Sequence, residues 1–114
     1  MPRKQMNLLQ GTLDVLVLRA LAVRSRHGYG VAEWIRSTTH GTLEIEDGAL
    51  YTSLHRMEKR GWLESTWGVS ENNRRAKYYG LSEQGREELA TATEDWARYA
   101  EAVFQVLRAD EAAG

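Results

Sequence analysis

The stretch EDGALYTSLHRMEKRGW, residues 46–62, decides how the rest of the chain is read. Leu50, Leu54 and Met57 stand at i, i+4 and i+7, one narrow stripe of a helix. At about 100° per residue the opposite face collects Gly48, Thr52, His55, Arg56 and Lys59, with Tyr51 on its flank. That face holds hydrogen-bonding and basic groups and no acid. One side of such a helix must be buried, and the other suits a polyanion. Asp47 is expected to cap its start and Gly61 to stop it.

Upstream, Gly11-Thr12 followed by LDVLVLRALAV reads as a first helix. Thr12 is its expected N-cap, with Asp14 in the first turn, where the helix dipole favours an acid. Leu9, Leu13, Leu16, Val17, Ala20 and Leu21 make its face broad enough for a central core helix. RSRHG breaks the pattern. A second helix follows from about Tyr29 to Thr39, with Val31, Ala32, Trp34 and Ile35 inward and Gly41 beyond its end. Downstream of Gly61 the period changes. WLESTW and RAKYYGL are short and rich in aromatic and β-favouring residues, and the turn-rich GVSENNR between them fits a hairpin. From Ser82, an expected N-cap, the chain is helical again. Leu89, Ala92, Trp96, Tyr99, Val103 and Val106 recur in steps of three and four, the spacing of a coiled-coil seam, with Phe104 beside it.

Three helices and then a hairpin is the order of a winged helix-turn-helix. The expected fold is therefore mainly α with a small β-hairpin: a winged helix-turn-helix over residues 1–81 and a C-terminal dimerisation helix over residues 82–110.

Composition narrows the function. The 114 residues carry a net charge of −1, which by itself counts against nucleic acid. Its distribution does not. Residues 1–36 are at +4 and 51–77 at +3, whereas 37–50 are at −3 and 78–114 at −5, so a basic and an acidic surface are expected. With no cysteine, disulfides, thiolate metal sites and cysteine nucleophiles are excluded. His27, His40 and His55 lie in different elements and lack a partner at i+3 or i+4, so no metal site is expected. No paired carboxylates, Ser–His–Asp arrangement or phosphate-cradling glycine loop can be argued, so neither enzyme nor cofactor is expected. The longest apolar run is interrupted by Arg19 and is too short to span a bilayer, and no leader precedes it. That predicts a cytoplasmic protein.

Four fragments, GTLDVLVLRAL, HGYGVA, GALYTSLHRMEKRGW and WGVSENNRRAKYYGLSEQG, fall in this order over nearly all of residues 11–85. Together they resemble the PadR-like family of bacterial transcriptional regulators. The resemblance implies a winged helix-turn-helix with a C-terminal dimerisation helix, here of the short-tailed branch, and a ligand-responsive repressor. It further implies that Tyr51 contacts DNA, that Tyr29 lies near the sugar-phosphate backbone, and that Asn72, Asn73, Arg74 and Lys77 approach DNA at the wing. Two positions depart from the family pattern. Thr52 stands where many relatives have proline, and Gly80 where they often have a polar or basic residue.

On this reading the third helix enters the major groove of double-stranded operator DNA. Arg56 is placed to bond a guanine edge, Thr52 and His55 to read adjacent bases, and Lys59 to meet a phosphate. The plainer alternative is a solvated face. In the hairpin, Arg74, Arg75 and Lys77 beside Asn72 and Asn73 suit phosphate or minor-groove contact, against a solvated turn with incidental charge. Tyr29 is equally readable as a phosphate contact or a half-buried aromatic. Trp34, Trp62 and Trp67 are expected in the core. Leu89, Trp96, Tyr99, Val103 and Phe104 would bury the surface of a homodimer with help from the first helix. The simpler role of Trp96 is to pack that seam. The resemblance also implies a second role, lining an aromatic cavity for a planar or apolar effector. A competing reading is a winged-helix module that docks a protein and not DNA, for which an apolar recognition face would be expected.

Overall fold

The computed structural model describes residues 10–111. Leu9 and the rest of the opening nine positions of the expected 1–81 domain lie outside the described residues. The first helix, α1, spans Gln10–Val23. It is already formed at Gln10, so Thr12 lies inside it and is not its cap, and Asp14 falls beyond the first turn. Both side chains are thereby left to serve other elements. Leu13, Val17, Leu18, Ala20 and Leu21 are buried, and Leu16 packs beside them. Little of the apolar run reaches water, because α1 touches three other helices and the sheet.

Helix α2 runs Gly28–Thr38 and buries Val31 and Ile35. Its cap is His27, whose Nδ1 accepts the Gly30 N–H at 3.0 Å. Helix α3 runs Asp47–Lys59. Glu46, not Asp47, holds the N-cap position, and it makes no side-chain capping bond. The expected stripe of Leu50, Leu54 and Met57 is fully buried and is joined by Ser53. At the far end the Gly61 N–H donates to the Glu58 carbonyl and the Trp62 N–H to the Met57 carbonyl, both at 3.0 Å. This closing motif needs a left-handed residue, and Gly61 supplies it at φ +84°.

The hairpin strands are β2, Leu63–Val69, and β3, Arg75–Leu81, paired antiparallel with Leu63 opposite Leu81 and Val69 opposite Arg75. Their turn is closed by the Ser70 N–H donating to the Arg74 carbonyl at 2.8 Å, with Asn73 at φ +58°. A third strand, β1 at Arg26–His27, pairs with the other edge of β3, giving the order β1-β3-β2. The hairpin expected from sequence is therefore part of a three-stranded sheet. Two residues inside a polar segment are too few to show a period. Ser25 fastens the same edge, its Oγ donating to the Tyr79 carbonyl at 2.9 Å.

Helix α4 runs Glu83–Arg108, 26 residues and so about 39 Å. Ser82 caps it as expected, its Oγ accepting the Gly85 N–H at 3.0 Å. Only Gly85 in this helix is buried. Four helices and a small antiparallel sheet thus make the expected winged arrangement, with α4 extending away from it. Among the described residues no helix is long and apolar enough to cross a membrane.

Candidate nucleic-acid interface

With its apolar stripe against the core, α3 exposes Gly48, Tyr51, Thr52, His55 and Lys59. Tyr51 does not swing freely. A Cβ built on Gly28 would lie 2.7 Å from the Tyr51 hydroxyl, so the ring packs over the start of α2, where only glycine leaves room. Tyr51 remains 42% exposed, and Tyr29 nearby is 70% exposed. The half-buried alternative for Tyr29 is excluded.

Arg56 differs from its expected role. Its guanidinium is engaged by both carboxylate oxygens of Asp14 on α1, and the Ser53 hydroxyl donates to the same carboxylate at 2.7 Å. Arg56 and Ser53 are three residues apart and share the edge of α3 that borders α1. The guanidinium therefore ties the recognition helix to the central helix and does not project toward a base. Nothing in the period of α3 foretells this, because the partner lies 42 residues away in the chain.

Lys77 is likewise engaged. Its Nζ donates to Glu58 at 3.0 Å, joining the wing to the last turn of α3. The Ser65 hydroxyl, foremost, and Lys77 hold the Glu58 carboxyl below the ordinary glutamate range. The bond to Glu58 in turn raises the Lys77 ammonium above its ordinary value. Asn72, Asn73, Arg74 and Arg75 stand exposed at the turn and just beyond it. The neighbouring Glu71 pairs with His27 at 3.2 Å. Trp67, expected in the core with Trp34 and Trp62, is 60% exposed, whereas the other two pack against the core. Its strand outruns the helices beneath it, so an inward-facing position near the wing tip has no core left to enter.

Between the wing and the starts of α2 and α3 lies an open groove of about 740 Å³. It brings together Tyr29, Tyr51, Asn72, Arg74, Arg75 and Lys77 from the expected set, and adds Trp67. Thr52 and Arg56 line a separate recess of about 340 Å³ beside Asp14.

The other expected surface is on α4. Leu89, half-buried, packs against the chain's own core. Ala92 is half-buried, while Trp96, Tyr99, Val103, Phe104 and Val106 are exposed. Trp96 Nε1 donates to Thr12 Oγ1 on α1 at 2.9 Å, and Trp96 borders a shallow cavity of about 280 Å³ with Val15 and Ala92. Leu107, 71% exposed, extends the same apolar strip beyond the expected set, at a spacing of four from Val103.

The model of the family described as "Transcriptional regulator PadR-like family" matches residues 17–91. A solved transcriptional regulator from Clostridium thermocellum superposes with a TM-score of 0.77 at 26% identity, covering 84% of this chain and 93% of that one. A PadR family transcriptional regulator from Eggerthella lenta gives a TM-score of 0.74 at 29% identity, covering 89% of this chain and 86% of that one. An uncharacterised protein of Lysinibacillus sphaericus is 27% identical over 97 residues, which are 85% of this chain and 89% of its own.

Proposed function

Because the chain belongs to the transcriptional regulator PadR-like family, we propose that it acts as a cytoplasmic homodimeric repressor holding an inverted-repeat operator in two copies of its α3-and-wing groove. The chain is a transcriptional regulator, and regulation, not catalysis, is its work. One observation supports the finer reading. The α3 residues that folding leaves exposed include Tyr51, Thr52, His55 and Lys59, with Asp47 in the first turn the one exposed acid of the helix, and the wing adds Arg74 and Arg75 beside them. A face meant for a protein would be apolar there. Thr52 and His55 read base edges in the major groove, and Lys59 and Tyr29 meet phosphates. Asn72, Asn73 and Arg74 contact the flanking backbone. Arg56 keeps α3 seated on α1 and reads no base.

One such module buries only about 600–1,000 Å² on DNA, so a second copy is needed for useful specificity. The apolar strip of α4 supplies the pairing surface. A planar, apolar effector held between Trp96 and its symmetry mate would release the operator by changing that pairing. Genomic fragments retained by the purified protein are expected to share an inverted repeat with half-sites about one helical turn apart. Retention should fall steeply with salt as phosphate counterions are released. Absence of retention at low salt would rule the reading out.

A further inference from the structure

The wing pairs one of its expected DNA-contacting cations, Arg75, with an exposed aromatic that has no role so far, Trp67. Trp67 and Val69 lie on the same sheet face as the buried Leu63, because strand side chains alternate and the positions differ by even numbers. That face covers the core at Leu63 and runs past its edge at Trp67, where it overhangs the groove. A single exposed aromatic is ordinary on a protein surface. This one is not single: the Arg75 guanidinium carbon sits 4.4 Å from the centroid of its ring, and both residues line the groove that contains Tyr29 and Tyr51.

The charges of the groove single out the same pair. Glu71 is engaged by His27, and Lys77 by Glu58. Among the described residues, Arg74 and Arg75 are the wing cations with no carboxylate partner. Arg74 sits on the turn, whereas the Arg75 guanidinium lies over the indole. Stacking fixes the guanidinium plane while leaving its N–H donors unspent, so less side-chain freedom is lost when it meets an anion.

We propose that Trp67 and Arg75 act as one DNA-contacting unit, with the guanidinium bidentate on a backbone phosphate and the indole against the adjoining deoxyribose. The proposal rests on the DNA-binding reading above and adds to it a named anchor on the wing. Its specificity contribution is positional: the pair sets how far the wing sits from α3's base contacts, without reading a base itself.

The test is the affinity of the full chain for a labelled random-sequence duplex across a salt series. Trp67→Ala and Arg75→Ala should each weaken binding about tenfold. Arg75→Ala should also flatten the salt slope by about one, the loss of one phosphate contact, while Trp67→Ala, which removes no charge, should keep the wild-type slope. Trp67→Phe, which keeps an aromatic platform, should bind close to wild type. Arg75→Lys should keep the slope and lose affinity, because a lysine does not stack flat or bond bidentately. If wild type binds and both alanine variants bind equally well, the proposal is overturned and the DNA-binding reading stands. If Trp67→Ala instead alters self-association at unchanged DNA affinity, the indole belongs to a subunit contact and the proposal is likewise overturned. If wild type does not bind at low salt, the DNA-binding reading fails and this proposal fails with it.

Discussion

Helices α3 and α4 are built from the same kind of sequence, apolar residues every three or four positions among polar ones, and they end in opposite states. In α3 the stripe of Leu50, Leu54 and Met57 is fully buried by the chain itself, and what faces water carries no large aliphatic side chain. In α4 the stripe continues past the end of the core, so Trp96, Tyr99, Val103 and Phe104 face water. A period announces that a face wants covering, but not what covers it. For α3 the cover is α1 and the sheet. For α4 beyond Trp96, which still bonds Thr12 of α1, none of the described residues covers the strip, and a second copy is the cover proposed.

The sharpest way to break this contrast is to charge the uncovered stripe. Phe104→Glu is expected to weaken self-association by about a hundredfold or more, because a buried carboxylate without a partner costs several kcal/mol. Sedimentation across a concentration series reads this directly. Leu89→Ala, on the same helix but packed on the monomer's core, should leave association unchanged and lower stability by about 1–3 kcal/mol in denaturant unfolding. Equal effects of the two on association would erase the distinction between the covered and uncovered parts of α4.

The contrast within α3 comes next in size. Arg56→Ala strands the partly buried Asp14 carboxylate and should cost about 2 kcal/mol of stability, while the ratio of operator to random-DNA affinity stays at the wild-type value. Tyr51→Ala should do the reverse, with little change in stability and operator binding weaker by about 1–2 kcal/mol. A loss of operator preference in folded Arg56→Ala would return that guanidinium to the base-reading set.

A smaller effect is expected at the wing hinge. Glu58 has its pKa depressed in the folded chain, chiefly by the Ser65 hydroxyl and then by Lys77. Such a group contributes stability that is fully present above its unfolded value near 4.5 and is lost as pH falls through the lower folded value. The acid limb of the stability–pH curve should therefore be shallower in Glu58→Gln. An unchanged acid limb would show that this clasp does not join wing to helix in solution.

Much of the fold was legible because it rests on local signals. The α3 stripe, the Gly61 stop, the Ser82 cap and the bounds of β3 all follow from spacing, from a left-handed glycine or from capping chemistry. What escaped depends on partners distant in the chain. Strand β1 exists because β3 offers an edge to two residues that show no pattern of their own. Thr12 has the local signature of a cap, yet its hydroxyl accepts a bond from Trp96, 84 residues away. Arg56 looked outward on a helical wheel, whereas Asp14 draws it to the α1 edge. Trp67 has the alternation of a core residue, but the core stops short of it. The candidate site was thus readable as a face, while the duties of its cations were not.

A second copy of the chain is the proposed cover of the α4 stripe. The most direct measurement is the sedimentation mass of the wild-type protein alone, at micromolar concentration and in the absence of DNA. Twice the 13.0 kDa chain mass is expected. A single species at 13.0 kDa over that range would contradict it.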